Sequence, residues 1–255
     1  MIIELLGKMA EDAFGIKADP SDLERLRVYL LKNYGSEYTE MLEKVFVSGE
    51  AAGFLTVNET YFFREPAHFA LLLEMLPDFD ESGIRICSAA SSTGCEAYSI
   101  AMLIESFNRG RSRKLSYHID AFDINHKVIR IASQGLYGER SVREDGSNFM
   151  YMAEPYLKKV EYGYQIDLSL KKNINFFVHN LMDALPADAY HLIFFRNAFI
   201  YFAKHARSRV LTNLSYALKD NGLLFMGVSE TAGASHECLA EMNKHDVFYF
   251  QKIKI

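Results

Sequence analysis

Small side chains occupy residues 88–94, which stand between a predicted strand and a predicted helix. Such side chains let a ligand reach the backbone at a helix start, which is how α/β proteins bind nucleotide-like ligands. The stretch lacks the Gly-x-Gly-x-x-Gly pattern of dinucleotide sites, and Glu96 at the helix start suits sugar hydroxyls or a cation better than a pyrophosphate. The pattern is therefore compatible with a phosphate-free adenosine ligand as well as with a dinucleotide.

Further polar side chains stand where predicted strands end. Asp123 ends the second strand, where doubly wound folds place an acid against ribose hydroxyls, although this position also suits a helix N-cap. Arg196 and Asn197 follow the apolar strand at 191–195 and so reach the carboxyl edge of the sheet, where ligands bind. Asn180 follows the third strand and is, on spacing alone, as well suited to a turn as to a ligand contact.

Residues 58–64 read Asn-Glu-Thr-Tyr-Phe-Phe-Arg, with three adjacent aromatic residues between polar ones. Adjacent aromatic residues belong to a core more often than to a cofactor site. Composition and spacing alone therefore favour packing for this segment.

The elements that must position these residues change in type near residue 80. Residues 1–78 predict helices only: Asp19 and Pro20 start one that Gly35 ends, and Pro66 opens another. From Ile84 onward, strands and helices alternate. The predicted strands begin at Ile84 and span residues 117–122, 175–178, 191–195, 223–228 and 247–250. This order predicts an α/β fold with a doubly wound, mostly parallel sheet in residues 79–255, preceded by a helical N-terminal domain in residues 1–78.

One segment, at about residues 138–174, does not fit the alternation. Tyr164, Ile166, Leu168 and Leu170 alternate at period two after a turn at Gly163. We therefore expect a small antiparallel β-subdomain inserted into the sheet domain.

Composition excludes several classes of function. The chain has 255 residues, 49% of them hydrophobic, and a net charge of -5, which disfavours a dedicated nucleic-acid binder. The basic run at 109–114 is expected to be a solvated loop. Cys87, Cys95 and Cys238 form no Cys-x-x-Cys pair, so neither a zinc site nor a disulfide framework is indicated and a reducing cytoplasm fits best. No secretory leader or membrane-spanning segment is expected.

The motifs taken together resemble one family, the CheR-type chemotaxis-receptor protein-glutamate O-methyltransferases. They are Asn-Glu-Thr-Tyr-Phe-Phe-Arg-Glu at 58–65, Ser-Ala-Ala-Ser-Ser-Thr-Gly-Cys-Glu-Ala-Tyr-Ser-Ile-Ala-Met at 88–102, Phe-Asp-Ile at 122–124, Phe-Arg-Asn at 195–197, Ile-Tyr-Phe at 200–202 and Gly-Leu-Leu-Phe-Met-Gly-Val-Ser-Glu at 222–230. The resemblance runs from about residue 15 to residue 252. It implies a class I methyltransferase-like sheet and an S-adenosylmethionine cofactor, which also explains the missing glycine triplet because this cofactor has no pyrophosphate.

The resemblance also implies residue roles. Asn58, Thr60 and Arg64 would line the methionine end of the cofactor, Glu96 would face the cofactor, and Asp123 would hold the ribose. The remaining cofactor-binding positions are Ala90 and Gly94 in the turn, Asn180 and Leu181 beside the adenine, and Arg196 and Asn197 closing the pocket. The product would be S-adenosylhomocysteine.

The chemistry implied needs neither a metal nor a general base, because a glutamate carboxylate is already ionised and the sulfonium methyl is already activated. Orientation is then a sufficient source of catalysis. Arg64 is the candidate for steering charge near a carboxylate, with a salt bridge to Glu65 or another acid as its structural alternative. Tyr201 is a candidate for shaping the acceptor side, with packing as its alternative, and Cys95 is expected to fill space.

The implied partner is a cytoplasmic helix of a chemoreceptor or related sensory protein. Arg25, Arg27 and Lys32 are mixed with acidic residues, so the basic footprint for such a helix is weak. The turn of the inserted subdomain has only Gly163, so we expect no binding of a receptor tether peptide by strand addition. Two alternatives stay open: a cofactor-binding signalling scaffold or sensor without significant turnover, and a methyltransferase for another carboxylic acid.

Overall fold

The computed structural model describes residues 2–79, 83–143, 149–231 and 234–254. Its α-helices within these ranges are α1 (Ile2–Phe14), α2 (Pro20–Tyr34), α3 (Leu42–Val47), α4 (Ala52–Leu55), α5 (Pro66–Met75), α6 (Cys95–Asn108), α7 (His126–Gln134), α8 (Met150–Ala153), α9 (Leu168–Lys171) and α10 (Lys204–Ala217). The strands are β1 (Ile84–Ala89), β2 (Tyr117–Asp123), β3 (Leu136–Tyr137), β4 (Leu157–Val160), β5 (Gly163–Ile166), β6 (Ile174–Val178), β7 (Tyr190–Phe195), β8 (Leu218–Met226), β9 (Leu239–Lys244) and β10 (Val247–Lys252). Short 3₁₀ turns cover Gly35–Met41, Leu76–Asp78, Glu139–Ser141 and Phe199–Tyr201.

Seven strands form the central sheet in the order β6-β2-β1-β7-β8-β10-β9. The first five in this order are parallel to one another, and β10 runs antiparallel to both β8 and β9. Two hydrophobic cores cover the sheet, one containing α5 and α6 and the other containing α10. The predicted fold class, a doubly wound class I methyltransferase-like α/β sheet with a helical N-terminal region and an inserted antiparallel subdomain, is confirmed.

The N-terminal helices have a core of their own. Asp19 caps α2 by accepting a hydrogen bond from Ser21 N, and Gly35 ends the helix at φ 69°, as the sequence predicts. The apolar residues of α1 to α4 pack with Tyr38 into this third core. Between α2 and α4, the chain forms the 3₁₀ turn Gly35–Met41 followed directly by α3.

Helix α5 packs with the sheet and not with the N-terminal helices. Phe63, Phe69 and Leu72 are fully buried in the core that contains α6. The division into a domain of residues 1–78 and a domain of residues 79–255 stays a prediction, while the hydrophobic cores themselves divide between Leu55 and Phe62.

The inserted subdomain is a three-stranded sheet in the order β3-β5-β4. The expectation that Leu168 and Leu170 continue its alternating strand is wrong, because both lie in α9. Asp167 starts this helix by accepting a hydrogen bond from Ser169 N, and Leu170 is fully buried. The alternation of leucines therefore reflects one capped helical turn.

Two details at the other end of the sheet also differ from expectation. Strand β9 was not predicted, because its sequence Leu-Ala-Glu-Met-Asn-Lys lies at the sheet edge, has no buried residue and shows little apolar alternation. Strand β8 starts at Leu218 and not at residue 223, since the chain continues through an irregular register beside Tyr190.

The basic run at 109–114 is an exposed loop, as predicted. Within the described ranges, no helix has the length and apolar character needed to cross a bilayer.

Candidate functional site

One pocket lies at the carboxyl edge of the sheet, where β1, β2, β6 and β7 end. Segments from all four strand ends line it, together with residues 56–61 and Arg64 before α5, with Phe14 at the end of α1 and with Ile16 just after it. Of the residues predicted from the sequence, those that line this pocket are Asn58, Thr60, Arg64, Ala90, Glu96, Asp123, Asn180, Leu181, Arg196, Asn197 and Tyr201. The fold therefore brings together residues spread over more than half of the chain.

Gly94 is the one predicted site residue outside the pocket lining. It caps α6 at φ 85°, and a Cβ placed there would lie 2.8 Å from Ala132 Cβ and 2.9 Å from the Phe176 ring. Gly94 lies where α6, α7 and β6 pack together. Glycine is needed there because the backbone is left-handed and the neighbouring side chains leave no room for a Cβ. Its assignment to cofactor binding stays a prediction that the lining does not support.

Asp123 joins two turns of the pocket. Its Oδ2 accepts a hydrogen bond from Ser92 N at 2.9 Å, and its Oδ1 accepts one from Asn125 N at 2.9 Å. Burial raises the pKa of Asp123, and the backbone hydrogen bonds act against this rise. The N-cap of α7 is Asn125, whose side chain accepts from Lys127 N, so Asp123 is not the cap of that helix.

Arg196 lies between two carboxylates beneath the pocket. Its Nη2 is 3.2 Å from Glu65 Oε2, its Nη1 is 3.2 Å from Glu96 Oε2, and its side chain is 2% exposed. Nη2 also donates to the carbonyl of Arg64. The guanidinium therefore holds the segment before α5 against the start of α6. This position makes Arg196 a buried structural residue more than one that closes the pocket.

The pKa values of Glu65 and Glu96 shift in opposite directions. Burial opposes ionisation of Glu65, but contact with His68, the charge of Arg196 and a 2.9 Å hydrogen bond from Asn197 Nδ2 hold its pKa well below the ordinary value. Burial raises the pKa of Glu96, against the opposing effects of Arg196 and of a 2.7 Å hydrogen bond from Ser88 Oγ. Two acidic groups thus share one guanidinium, and of these two acids Glu96 is the one that lines the pocket.

Asn197 is held in a left-handed conformation at φ 58° by a buried glutamate. The carboxylate of Glu230 accepts hydrogen bonds from Asn197 N at 2.6 Å, Gly227 N at 2.9 Å and Ile200 N at 3.3 Å. Glu230 is 2% exposed. It thereby connects the loops that follow β7 and β8 and fixes the backbone that carries Asn197 and Tyr201.

Asn58 and Arg64 stand at the pocket entrance. Asn58 O accepts from Ser92 Oγ at 3.1 Å, which joins this segment to the turn after β1. Arg64 Nη1 donates to Glu59 O at 2.9 Å, and its guanidinium lies 5.9 Å from the centre of the Tyr61 ring. Across the described residues, Arg64 forms no ion pair, so the salt bridge considered as its structural alternative is not present.

The wall made by β6 contacts the N-terminal helices. Asn180 Nδ2 donates to Ala13 O at 2.7 Å, and Asn180 Oδ1 accepts from Met182 N at 3.0 Å, so Asn180 shapes a turn and also lines the pocket. The loop after β7 also contacts the N-terminal region, where Ile16 forms a β-bridge with Phe202 and Lys17 N donates to Tyr201 O at 2.9 Å. The N-terminal region therefore closes one side of the pocket.

Buried polar atoms indicate where a ligand would bind. Ser91 Oγ and His179 Nε2 are buried without a hydrogen-bond partner, and both residues line the pocket. The carboxylates of Glu96 and Asp123 fit the cationic groups and the ribose hydroxyls of S-adenosylmethionine, and the guanidinium of Arg64 fits a carboxylate of either the cofactor or an acceptor. The donors and acceptors present therefore fit this cofactor. Among the described residues, no cluster of three or more His, Cys, Asp or Glu side chains could hold a metal ion.

Cys95 lies under the pocket in the core with α6 and is fully buried. Burial raises the pKa of its thiol to about 12. A thiol in this state is not a nucleophile at neutral pH, which agrees with its expected space-filling role.

Sequence reasoning missed several residues of the site. Glu65 was considered only as a salt-bridge partner of Arg64, and Glu230 was given no role because nothing in its sequence neighbourhood indicates that it is buried. The pocket-lining residues that were not predicted include Phe14, Ile16, Tyr61, Ser91, Ser92 and His179. No spacing signal could assign Phe14 or Ile16, since they reach the pocket only through packing between distant segments.

The chain is similar to known methyltransferases in its sequence. Residues 58–248 match the family "CheR methyltransferase, SAM binding domain". The chain is 33% identical over 206 residues to the probable biofilm formation methyltransferase WspC of Pseudomonas aeruginosa, which covers 78% of this chain and 47% of that protein, so the match spans about half the length of that relative. It is 33% identical over 220 residues to a chemotaxis protein methyltransferase of Borreliella burgdorferi, covering 81% of this chain and 76% of that protein.

Among solved structures, the chain is similar to the geranyl diphosphate C-methyltransferase of Streptomyces coelicolor A3(2), with a TM-score of 0.38 and 12% identity. That similarity covers 64% of this chain and 45% of the other.

Proposed function

Because the chain belongs to the CheR methyltransferase family and binds S-adenosylmethionine, we propose that it methylates glutamate side-chain carboxylates of a chemoreceptor or related sensory protein. The product would be a glutamate methyl ester. This assignment is supported above all by Arg64, a guanidinium at the pocket entrance without a carboxylate partner among the described residues.

The bound cofactor would supply a methyl group that its sulfonium already activates. The residues of this chain would then have three tasks: holding the cofactor, bringing the acceptor carboxylate to it and excluding water. Asn58, Thr60, Glu96 and Asp123 would hold the cofactor, and Arg64 would orient a carboxylate by charge-assisted hydrogen bonds. Tyr201 would shape the acceptor side of the pocket. Ala90, Asn180, Leu181, Arg196 and Asn197 would complete the cofactor site.

No general base is required in this proposal, because the acceptor is already ionised near neutral pH. Tyr201 is poorly suited to proton transfer in any case, since burial raises its pKa above the ordinary phenol value. Positioning of the acceptor is therefore the main contribution that we propose for this chain.

The surface available to an acidic receptor helix is only weakly basic. Arg25 lies 3.0 Å from Asp22, and Arg27 lies 2.6 Å from Glu24, so both arginines of α2 pair within their own helix. We expect recognition of the partner to depend on the pocket entrance more than on α2. We propose a cytoplasmic location, where receptor signalling helices would be accessible.

Incubation with methyl-labelled S-adenosylmethionine and cytoplasmic fragments of chemoreceptors tests the proposal. We expect base-labile label on the fragments, and we expect it to disappear when the candidate glutamates are changed to glutamine. Arg64→Ala should reduce labelling at least tenfold while Arg64→Lys retains part of it. Absence of label from all cognate fragments, with intact cofactor binding, would indicate a signalling scaffold or a different carboxylic acid substrate.

A further inference from the structure

The pocket entrance carries a second arginine that the motifs do not include. Arg143 lies just after the 3₁₀ turn Glu139–Ser141, at the start of the inserted subdomain. Its guanidinium contacts two residues that line the pocket, the carboxylate of Glu59 and the ring of Tyr61. Arg143 therefore stands at the rim of the pocket, although 84 residues separate it from Glu59 in the sequence.

Several contacts fix Arg143 in this place. Phe62 N donates to Ser141 O at 2.9 Å, which attaches the turn to the segment before α5. Arg143 Nε donates to Arg140 O at 3.0 Å, and Arg143 Nη2 donates to Glu59 Oε1 at 2.8 Å. The position of the guanidinium is thus set by backbone as well as by side-chain contacts.

The guanidinium groups of Arg143 and Arg64 both lie near the ring of Tyr61. The Arg143 guanidinium is 4.8 Å from the centre of the Tyr61 ring, and the Arg64 guanidinium is 5.9 Å from it. Two planar cations beside one aromatic ring provide several N–H donors for a carboxylate. Only one carboxylate, that of Glu59, contacts either cation among the described residues.

The contact between Arg143 and Glu59 is exchangeable. The side chains are 44% and 56% exposed, and exposed ion pairs of this kind contribute only about 0–1 kcal/mol. An incoming carboxylate would therefore replace Glu59 on Arg143 at little cost. Glu59 is itself a glutamate side chain at the pocket entrance, so it shows the kind of group that Arg143 can hold there.

We propose that Arg143 binds the acceptor carboxylate at the pocket entrance in exchange for Glu59, and so selects carboxylate over amide side chains. This inference rests on the proposed methylation of glutamate. Arg143 delivers the acceptor to Arg64, and Glu59 acts as a competing carboxylate within the chain. Removal of Arg143 should weaken acceptor binding, whereas removal of the Glu59 charge should strengthen it.

The test measures the affinity of the protein, saturated with S-adenosylhomocysteine, for a receptor cytoplasmic fragment in two forms. One form has its candidate methylation sites as glutamate and the other has them as glutamine. We expect the wild type to bind the glutamate form more tightly by about five- to tenfold, as for one charge-assisted hydrogen-bonding group. Arg143→Ala should abolish this preference, and Glu59→Gln should increase it.

Two further variants make the interpretation unambiguous. The double variant Arg143→Ala with Glu59→Gln should behave like Arg143→Ala alone, because Glu59 competes only through Arg143. Lys158→Ala removes an exposed ion pair with Asp167 in the same subdomain, where the two groups are 2.6 Å apart, and it should leave the preference unchanged.

Retention of the preference in Arg143→Ala, equal binding of both forms by the wild type, or no binding of either form would overturn the inference. Failure of the proposed function has a different signature, because neither form would then bind or acquire base-labile label, whereas failure of the inference alone leaves labelling of the glutamate form intact.

Discussion

The carboxylate of Glu230 accepts a hydrogen bond from the backbone amide of Asn197 at 2.6 Å, across the loops that follow two neighbouring strands. The same carboxylate holds Gly227 N, and a Cβ at Gly227 would lie 2.6 Å from Glu230 Oε2. Glu230 therefore joins the two loops through one buried carboxylate that accepts hydrogen bonds from several backbone amides. Its neighbours cannot move independently of it.

Glu230→Gln should lower the free energy of unfolding by about 2 kcal/mol, because one carboxylate oxygen is replaced by an NH₂ group that faces a backbone donor. Urea denaturation measures this change. Glu237→Gln, at an exposed position, serves as the control and should leave stability within about 0.5 kcal/mol. Equal stability of the two variants would contradict a structural role for the buried carboxylate.

Asp123→Ala should weaken S-adenosylhomocysteine binding about tenfold, because a pocket carboxylate that also positions Ser92 N is lost. Calorimetric titration measures the affinity. The matched control is Asn125→Ala, which removes the N-cap of α7 and should lower stability by about 1 kcal/mol while changing the affinity much less. Similar affinity losses in both variants would assign the effect to the turn as a whole.

The depressed pKa of Glu65 predicts a specific acid response. An acid whose pKa is lower in the folded state stabilises that state above its ordinary pKa, and this contribution is lost as the pH falls through the folded value. The stability difference between wild type and Glu65→Gln should therefore be constant near neutral pH and shrink progressively below the ordinary value of 4.5.

Urea unfolding from pH 7 to the lowest pH at which the protein stays folded checks this response. Glu37→Gln, an exposed position on the N-terminal helices, provides the control for general acid destabilisation. A stability difference that does not change with pH would show that Glu65 acts through packing and not through its charge.

Thiol reactivity should follow burial. Cys87 and Cys95 are buried and their pKa values are raised, whereas Cys238 is only partly buried. At pH 8, a disulfide reagent should modify Cys238 rapidly in the native protein and all three thiols after denaturation. Cys95→Ala should retain methyl transfer, and loss of transfer with normal cofactor affinity would show that this thiol has a role in the reaction.

Much of the fold was predictable because local signals agreed with it. The buried strand at residues 191–195 and the capped start of α2 at Asp19 could be read directly from apolar runs and capping residues. Strand β9 could not, because an exposed edge strand carries no burial pattern. Leu168 and Leu170 were misplaced since two residues at period two do not distinguish a strand from a short capped helix.

The site was predictable to the extent that strand ends meet at one edge. Asp123, Arg196 and Asn197 converge there for that reason, and the resemblance to a known family added residues 58–64. The partners that fix them could not be predicted. The position of Arg196 between Glu65 and Glu96 depends on three segments far apart in sequence, and only the folded chain brings them together.

Because Ile16 is bridged to Phe202, cofactor binding and the attachment of α1 to the sheet domain are linked equilibria. Phe14 and Ile16 form part of the pocket lining, and Gly15 packs so closely that a Cβ there would lie 2.6 Å from Met182 Sδ. Contacts with this wall raise the affinity of the protein for the ligand. By reciprocity, a bound ligand raises the affinity of the sheet domain for the N-terminal helices by the same factor. Protease cleavage between α1 and α2 should therefore slow as the cofactor concentration rises, and the rate would report the occupancy of the pocket.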